Sequence, residues 1–152
     1  MPGRNDRQLA LLPPERIAGS SILVIGVGAI GRQVALQLAS AGVPEMTLVD
    51  FDTVEEANMG PQSYLPSQVG TAKVDATKAD CLRHDPDMKI TTINGRFSTR
   101  VPDHDIVFCC VDGIETRGLI FKALRDAERR PSLFIDARMS AEVARILTIN
   151  DS

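Results

Sequence analysis

The apolar run Ile22-Leu23-Val24-Ile25 is interrupted by Gly26-Val27-Gly28-Ala29-Ile30-Gly31. After a helical stretch, a second apolar run ends in acids, Leu48-Val49-Asp50-Phe51-Asp52. Strand, glycine turn, helix and acid-tipped strand in that order make a nucleotide-binding βαβ unit. Gly26 permits the tight turn off the strand, Gly28 lets backbone N–H groups approach a phosphate, and Gly31 lets the helix pack closely. The turn Gly26, Gly28, Ala29 and Gly31 then sits at a helix N-terminus, whose unpaired N–H groups and dipole favour an anion. Asp50, about 20 positions beyond the last glycine, is placed to accept hydrogen bonds from ribose hydroxyls, with Asp52 beside it as a further nucleotide contact.

The rest of the chain keeps alternating between strand and helix. Residues 31–40 read as a helix with Val34, Leu36, Leu38 and Ala39 apolar, closed by Gly42 and Pro44. A strand follows over 46–50, a helix over 71–84 with Val74, Thr77, Cys81 and Leu82 inward, and a strand over 88–93 before Asn94-Gly95. Further on come a continuous apolar strand over 106–111 and a helix over 114–130 with Leu119, Ile120, Ala123 and Leu124 on one face. Strands over 133–135 and 143–149 complete the pattern. The expected fold is α/β: a Rossmann-like, doubly wound, mainly parallel sheet with helices on both faces and ligands outside the carboxyl ends of strands, where Asp50, Asp112 and Asp136 fall. Residues 1–20 read as a polar arm and residues 21–152 as one nucleotide-binding domain. The stretch 51–70, with Asn58, Gly60, Pro61 and Pro66, has no sustained period and reads as a long ordered loop beside the nucleotide.

Composition narrows the partners. With 17 basic residues against 20 acidic ones spread along the chain, there is no basic stripe for nucleic acid and no polybasic block for a membrane surface. No apolar run approaches the roughly 18 residues of a membrane span, and the charged N-terminus lacks a secretory signal, so the expected location is cytoplasmic. The 3 cysteines, two of them adjacent at Cys109 and Cys110, lack zinc or disulfide-framework spacing and read as reduced, mostly buried thiols.

The residues with chemistry to offer are Asp50, Asp112 and Lys73. A strand-end carboxylate such as Asp112 is a hard oxygen ligand of the kind Mg²⁺ accepts while keeping phosphate and water ligands. Lys73 would bring a compact charge to phosphates. Taken singly, each has a plainer reading: a first-turn lysine is usually solvated, and Asp112 could cap the following helix. His84 and His104 lie in no motif and read as surface groups. Arg117, one turn into its helix, reads first as a solvated charge.

The series Gly26-Val-Gly-Ala-Ile-Gly31, Asp50-Phe-Asp-Thr-Val-Glu55, Asn58, Val69-Gly70 followed by Lys73, and Cys110-Val-Asp112 resembles the ThiF/MoeB/ubiquitin-activating enzyme family across nearly the whole chain. The resemblance implies an ATP- and Mg²⁺-dependent adenylyltransferase that activates the C-terminal glycine carboxylate of a ubiquitin-like or sulfur-carrier protein. It implies Asp50 at the ribose, Asn58 and Lys73 at the phosphates, Asp112 as the magnesium-linked acid, and Arg117 as a possible nucleotide contact. The N-terminal Arg4-Asn-Asp-Arg7-Gln8 is similar to an arm in which the second arginine, here Arg7, reaches the phosphates of the partner subunit in a homodimer. There are departures from the family pattern: Pro61 replaces a phosphate-contacting arginine, Gly113 replaces a common asparagine, and the chain is C-terminally short relative to the family. A non-catalytic nucleotide-binding or dimerisation module of the same descent, and an NAD-dependent oxidoreductase, are the alternative readings.

Overall fold

The computed structural model of the chain describes residues 13–140 and 143–150. Thus Arg7 and most of the expected arm lie outside the described residues; of the arm, a single helical turn, α1 (Pro14–Ile17), is described. The elements that follow are β1 (Ile22–Ile25), α2 (Ala29–Ala41), β2 (Glu45–Asp50), α3 (Met59–Gln62), α4 (Lys73–His84), β3 (Lys89–Asn94), β4 (Ile106–Cys109), α5 (Ile114–Arg125), β5 (Leu133–Ser140) and β6 (Val143–Asn150).

They form a six-stranded sheet in the order β3-β2-β1-β4-β5-β6, parallel except for β6, which pairs antiparallel with β5. This is the doubly wound order expected from the alternating pattern. The chain reverses its direction of winding between β1 and β4, the switch point outside which ligands bind. β1 is central and its four residues are buried on both faces. Ile22 and Val24 pack with α2 and α4 through Val34, Ala35, Val74 and Cys81. Leu23 and Ile25 face the other way, with Val107, Ile120 and Phe134. Alternation along a strand thus sorts one apolar run into two cores, one beneath each helical layer.

Gly42 closes α2 as its position predicts. It adopts φ +83°, its N–H donates to Ala39 O at 3.2 Å, and the Val43 N–H donates to Leu38 O at 3.2 Å.

Several expectations need correction. α5 ends at Arg125, not at residue 130; its C-cap, Asp126, stays right-handed and hydrogen-bonds back to Lys122 O. Leu119, expected on its buried face, is 69% exposed, because Ile120 and Arg117 define the inward stripe instead. β4 stops at Cys109, and β5 runs well past residue 135. Asp136 therefore lies within β5, opposite Cys109 where the parallel pairing ends; beyond it β5 pairs only with β6. His104 is buried, not a surface group: its Nδ1 lies 2.6 Å from Pro102 O and its Nε2 2.8 Å from Thr47 Oγ1. No helix among the described residues is long and apolar enough to cross a membrane.

Candidate functional site

The turn from β1 into α2 leaves no room for side chains at two of its glycines. Gly26 has φ +86°, and a Cβ there would lie 2.9 Å from Cys110 O; a Cβ on Gly31 would lie 1.8 Å from Gly26 O. Gly28 differs: the nearest atom to its Cβ position is Gln62 Cδ, at 3.9 Å. Its missing side chain leaves open space at the start of α2, where backbone N–H groups have no helical partner.

Asp50, at the tip of β2, binds the turn directly. Its Oδ2 accepts from the Val27 N–H at 2.7 Å and its Oδ1 from the Asp52 N–H at 2.8 Å. Each oxygen keeps lone-pair capacity for a hydroxyl donor, while the two amides fix the carboxylate's plane.

The loop over 51–70 is closed at its base by paired backbone. Val54 N–H donates to Thr71 O at 2.9 Å, Gly70 N–H to Val54 O at 2.9 Å, and Lys73 N–H to Asp52 O at 2.9 Å. Two short 3₁₀ turns, Glu56–Asn58 and Pro66–Gln68, and α3 fill it. Tyr64 pins its middle to the glycine turn: its hydroxyl donates to Val27 O at 2.8 Å and lies 3.1 Å from Thr77 Oγ1, and burial raises its pKa to about 12. Beneath the loop, Arg32 of α2 is 3% exposed, stacks 4.3 Å from the Tyr64 ring centre, and donates from Nη2 to Asp80 at 2.7 Å and to Ser63 O at 3.1 Å. Burial alone would raise the Asp80 pKa. Hydrogen bonds from Gln68 and Arg32 and the charges of Arg32 and Arg83 outweigh it and hold the carboxyl below its usual value. Neither Arg32 nor Tyr64 was singled out in the sequence. The only signals were a charge in the first turns after the glycines and the single tyrosine of the chain.

Lys73 opens α4 and is 6% exposed, so the solvated reading fails; its Nζ donates to Asp52 Oδ2 at 3.1 Å. The Asn58 side-chain oxygen accepts from the Glu55 N–H at 2.9 Å, which leaves its amide N–H groups as donors. Asp50, Asp52, Asn58 and Lys73 thus all belong to the β2 side of the turn.

Asp112 follows β4 on the other side. It does not cap α5, whose N-cap is Gly113 with no side-chain capping bond. It is exposed and lines a cleft of about 620 Å³ together with Ala29, Ile30, Arg117, Arg138 and Arg145. Among the described residues no three His, Cys, Asp or Glu side chains gather as a metal cage. Asp112 is the one carboxylate among the residues that line this cleft. Arg117 is buried, not solvated. It is paired with Asp136 and donates to Ala137 O at 3.0 Å and Cys109 O at 3.3 Å. It acts as a strut beneath the cleft. The cysteines are buried as expected, and burial pushes Cys81, Cys109 and Cys110 to about 12, 11 and 12, far from a reactive thiolate at neutral pH.

Comparison with known proteins bears on the family and the fold. The ThiF family pattern matches residues 6–134. The molybdopterin-synthase adenylyltransferase of Escherichia coli strain K12 is 33% identical over 109 residues, spanning 68% of this chain and 44% of that protein. The ubiquitin-like modifier-activating enzyme 5 of Caenorhabditis elegans is 34% identical over 119 residues, spanning 68% of this chain and 28% of that protein. The chain therefore spans less than half the length of these curated relatives. E. coli MccB, solved with ATP, shares the fold, with a TM-score of 0.84 over 97% of this chain and 48% of that one at 20% identity. The chain belongs to the ThiF family.

Proposed function

We propose that the chain is the nucleotide-binding part of an ATP-dependent adenylyltransferase that activates a protein or peptide C-terminal carboxylate as an acyl-adenylate. The observation that carries this reading is the placement of buried Lys73 with Asp52 on one side of the open glycine turn and exposed Asp112 on the other. Family membership and the activities for which the relatives are named support it, as does the structure of MccB with ATP. On this reading the acceptor is of the ubiquitin-like or sulfur-carrier class.

In this reading adenosine lies over β2, with Asp50 taking its ribose hydroxyls, and the α-phosphate rests over the N–H groups at Gly28 and Ala29. An acceptor carboxylate oxygen bonds to the α-phosphorus as the bridging oxygen to the β-phosphorus departs with its electron pair in pyrophosphate. The obstacle is repulsion between two anions, so alignment and charge neutralisation supply the catalysis and no general base is needed. Lys73, held in place by Asp52, and the Asn58 amide face the phosphates. A magnesium ion carried by the nucleotide would take one oxygen from Asp112 and would supply further neutralisation of phosphate charge. Arg7 would reach the phosphates of a second copy in a homodimer.

Calorimetry with Mg-ATP, followed by pyrophosphate exchange with a cognate carrier, tests this. Lys73→Ala should lower exchange about a hundredfold, the usual cost of removing one charge-stabilising donor. Absence of ATP binding by the wild-type chain, or exchange unaffected by Lys73→Ala, would reject the assignment; tight NADH binding without ATP competition would return it to the oxidoreductase reading.

A further inference from the structure

The glycine turn divides two unlike surroundings. On the β2 side lie the loop and Lys73; on the β4–β5 side lies the cleft of about 620 Å³, whose charge comes from Arg117, Arg138 and Arg145 against Asp112 and Asp136. Three guanidinium groups against two carboxylates leave the cleft net positive.

Arg138 is the guanidinium best placed to use that charge. It spends Nε and Nη2 on Asp136 Oδ2, while its side chain remains 36% exposed, so its other N–H donors are left for the cleft. The antiparallel ladder sets Arg145 directly opposite Arg138, which puts both side chains on one face of the β5–β6 hairpin. Like charges in that position repel. A shared anion between them removes the penalty. Asp136 is fully engaged, with Arg117 on one oxygen and Arg138 on the other, and serves as the positioning residue for both.

The chemistry of the reaction names the anion. In-line displacement at phosphorus needs the attacking and departing oxygens on opposite sides. With the departing pyrophosphate on the Lys73 side, the attacking oxygen arrives from the arginine cleft. Ala29 and Cys110 border it at the glycine turn, and its other walls, Ile30, Ile114, Met139 and Val143, are apolar and suit a peptide better than a triphosphate. We infer that Arg138 and Arg145 form the subsite that receives the acceptor's C-terminal carboxylate, holding one oxygen while the other attacks; this rests on the adenylation reading above.

The probe is N-acetyl-glycylglycine, followed by NMR amide shifts on the whole chain with and without a non-hydrolysable ATP analogue, with the C-terminally amidated compound as control. The free acid should shift cleft amides saturably and the amide should not. Arg138→Ala should weaken the acid about tenfold, as for loss of a charge-assisted hydrogen bond, with partial recovery in Arg138→Lys. ATP affinity should be unchanged in both. Arg145 is exposed and outside the Asp136 pairing, so Arg145→Ala reads the same subsite with a several-fold loss even if Arg138→Ala lowers stability. No saturable shift by the acid at tens of millimolar, equal response to the amide, or undiminished binding in both alanine variants would overturn the subsite. Loss of ATP affinity in Arg138→Ala would also overturn it, by making it a phosphate contact. A wild-type chain that binds no ATP defeats the adenylation reading instead; the titration without nucleotide still decides whether a carboxylate binds.

Discussion

At the scale of single residues, Gly31 and Gly28 differ in what the fold demands of them, and on the proposed function they divide folding from ligand binding. A methyl group at Gly31 would sit 1.8 Å from Gly26 O and 3.1 Å from Cys110 Cβ, a clash with backbone that only displacement of α2 from β1 can relieve. Gly31→Ala should cost about 3 kcal/mol or more by forced overpacking, seen as a lower urea midpoint. At Gly28 the same methyl group meets nothing within 3.9 Å, so Gly28→Ala should keep its urea midpoint and yet lose most of its ATP affinity by calorimetry. Equal loss of stability in the two variants would contradict the assignment of Gly28 to the ligand. Local spacing was enough to place the tight glycine turn and Asp50 against it, because these contacts stay within one βαβ unit. Lys73 and Asp112 were legible as candidates, but their plainer readings fell only when burial of one and the lack of capping by the other could be seen. Arg117 was misread for the opposite reason: its partner Asp136 lies 19 residues away on another element, and no local pattern records that pairing.

At the scale of elements, the loop over 51–70 shows how a segment without periodicity becomes rigid. The core beneath it is small: Val54 and Tyr64 of the loop with Ala76 of α4. The rest of its order comes from the paired backbone at its base and from the Tyr64 hydroxyl on Val27 O. Such contacts join residues far apart in sequence, so the loop could be recognised as ordered, but not how it is held. Tyr64→Phe keeps the ring over Arg32 and removes the hydroxyl, leaving Val27 O and Thr77 short of a partner. The expected cost is about 1 kcal/mol, with faster hydrogen exchange at Val54 and Gly70 while the amides of β1 stay protected. Uniform acceleration across the sheet would mean that the loop does not open as a separate unit. α5 errs in the other direction: its apolar residues were legible but its inward face was not, since Leu119 and Ile120 are adjacent and only contact with β5 selects one.

At the scale of the whole molecule, the doubly wound, mainly parallel class was legible because alternating strands and helices with right-handed crossovers leave few topologies. The antiparallel β6 was not, as its alternation carries no direction. Among the described residues a buried ion pair lies on each face of the sheet: Arg32 with Asp80 joins α2 to α4, and Arg117 with Asp136 joins α5 to β5. Both flank the glycine turn, so each layer is tied to the site by a charge whose removal leaves a buried guanidinium. Removing one partner of such a pair costs about 3–5 kcal/mol, against a domain stability of about 5–15 kcal/mol. Asp80→Ala and Asp136→Ala should therefore each remain folded with a lowered urea midpoint. Because the pairs share no partner and lie in separate cores, their costs should add to within about 0.5 kcal/mol. The double variant should then sit at or beyond the edge of stability, without a cooperative urea transition. A double variant no less stable than the weaker single one would show that the two faces unfold as one coupled unit through the turn between them, and that the turn itself transmits strain across the sheet.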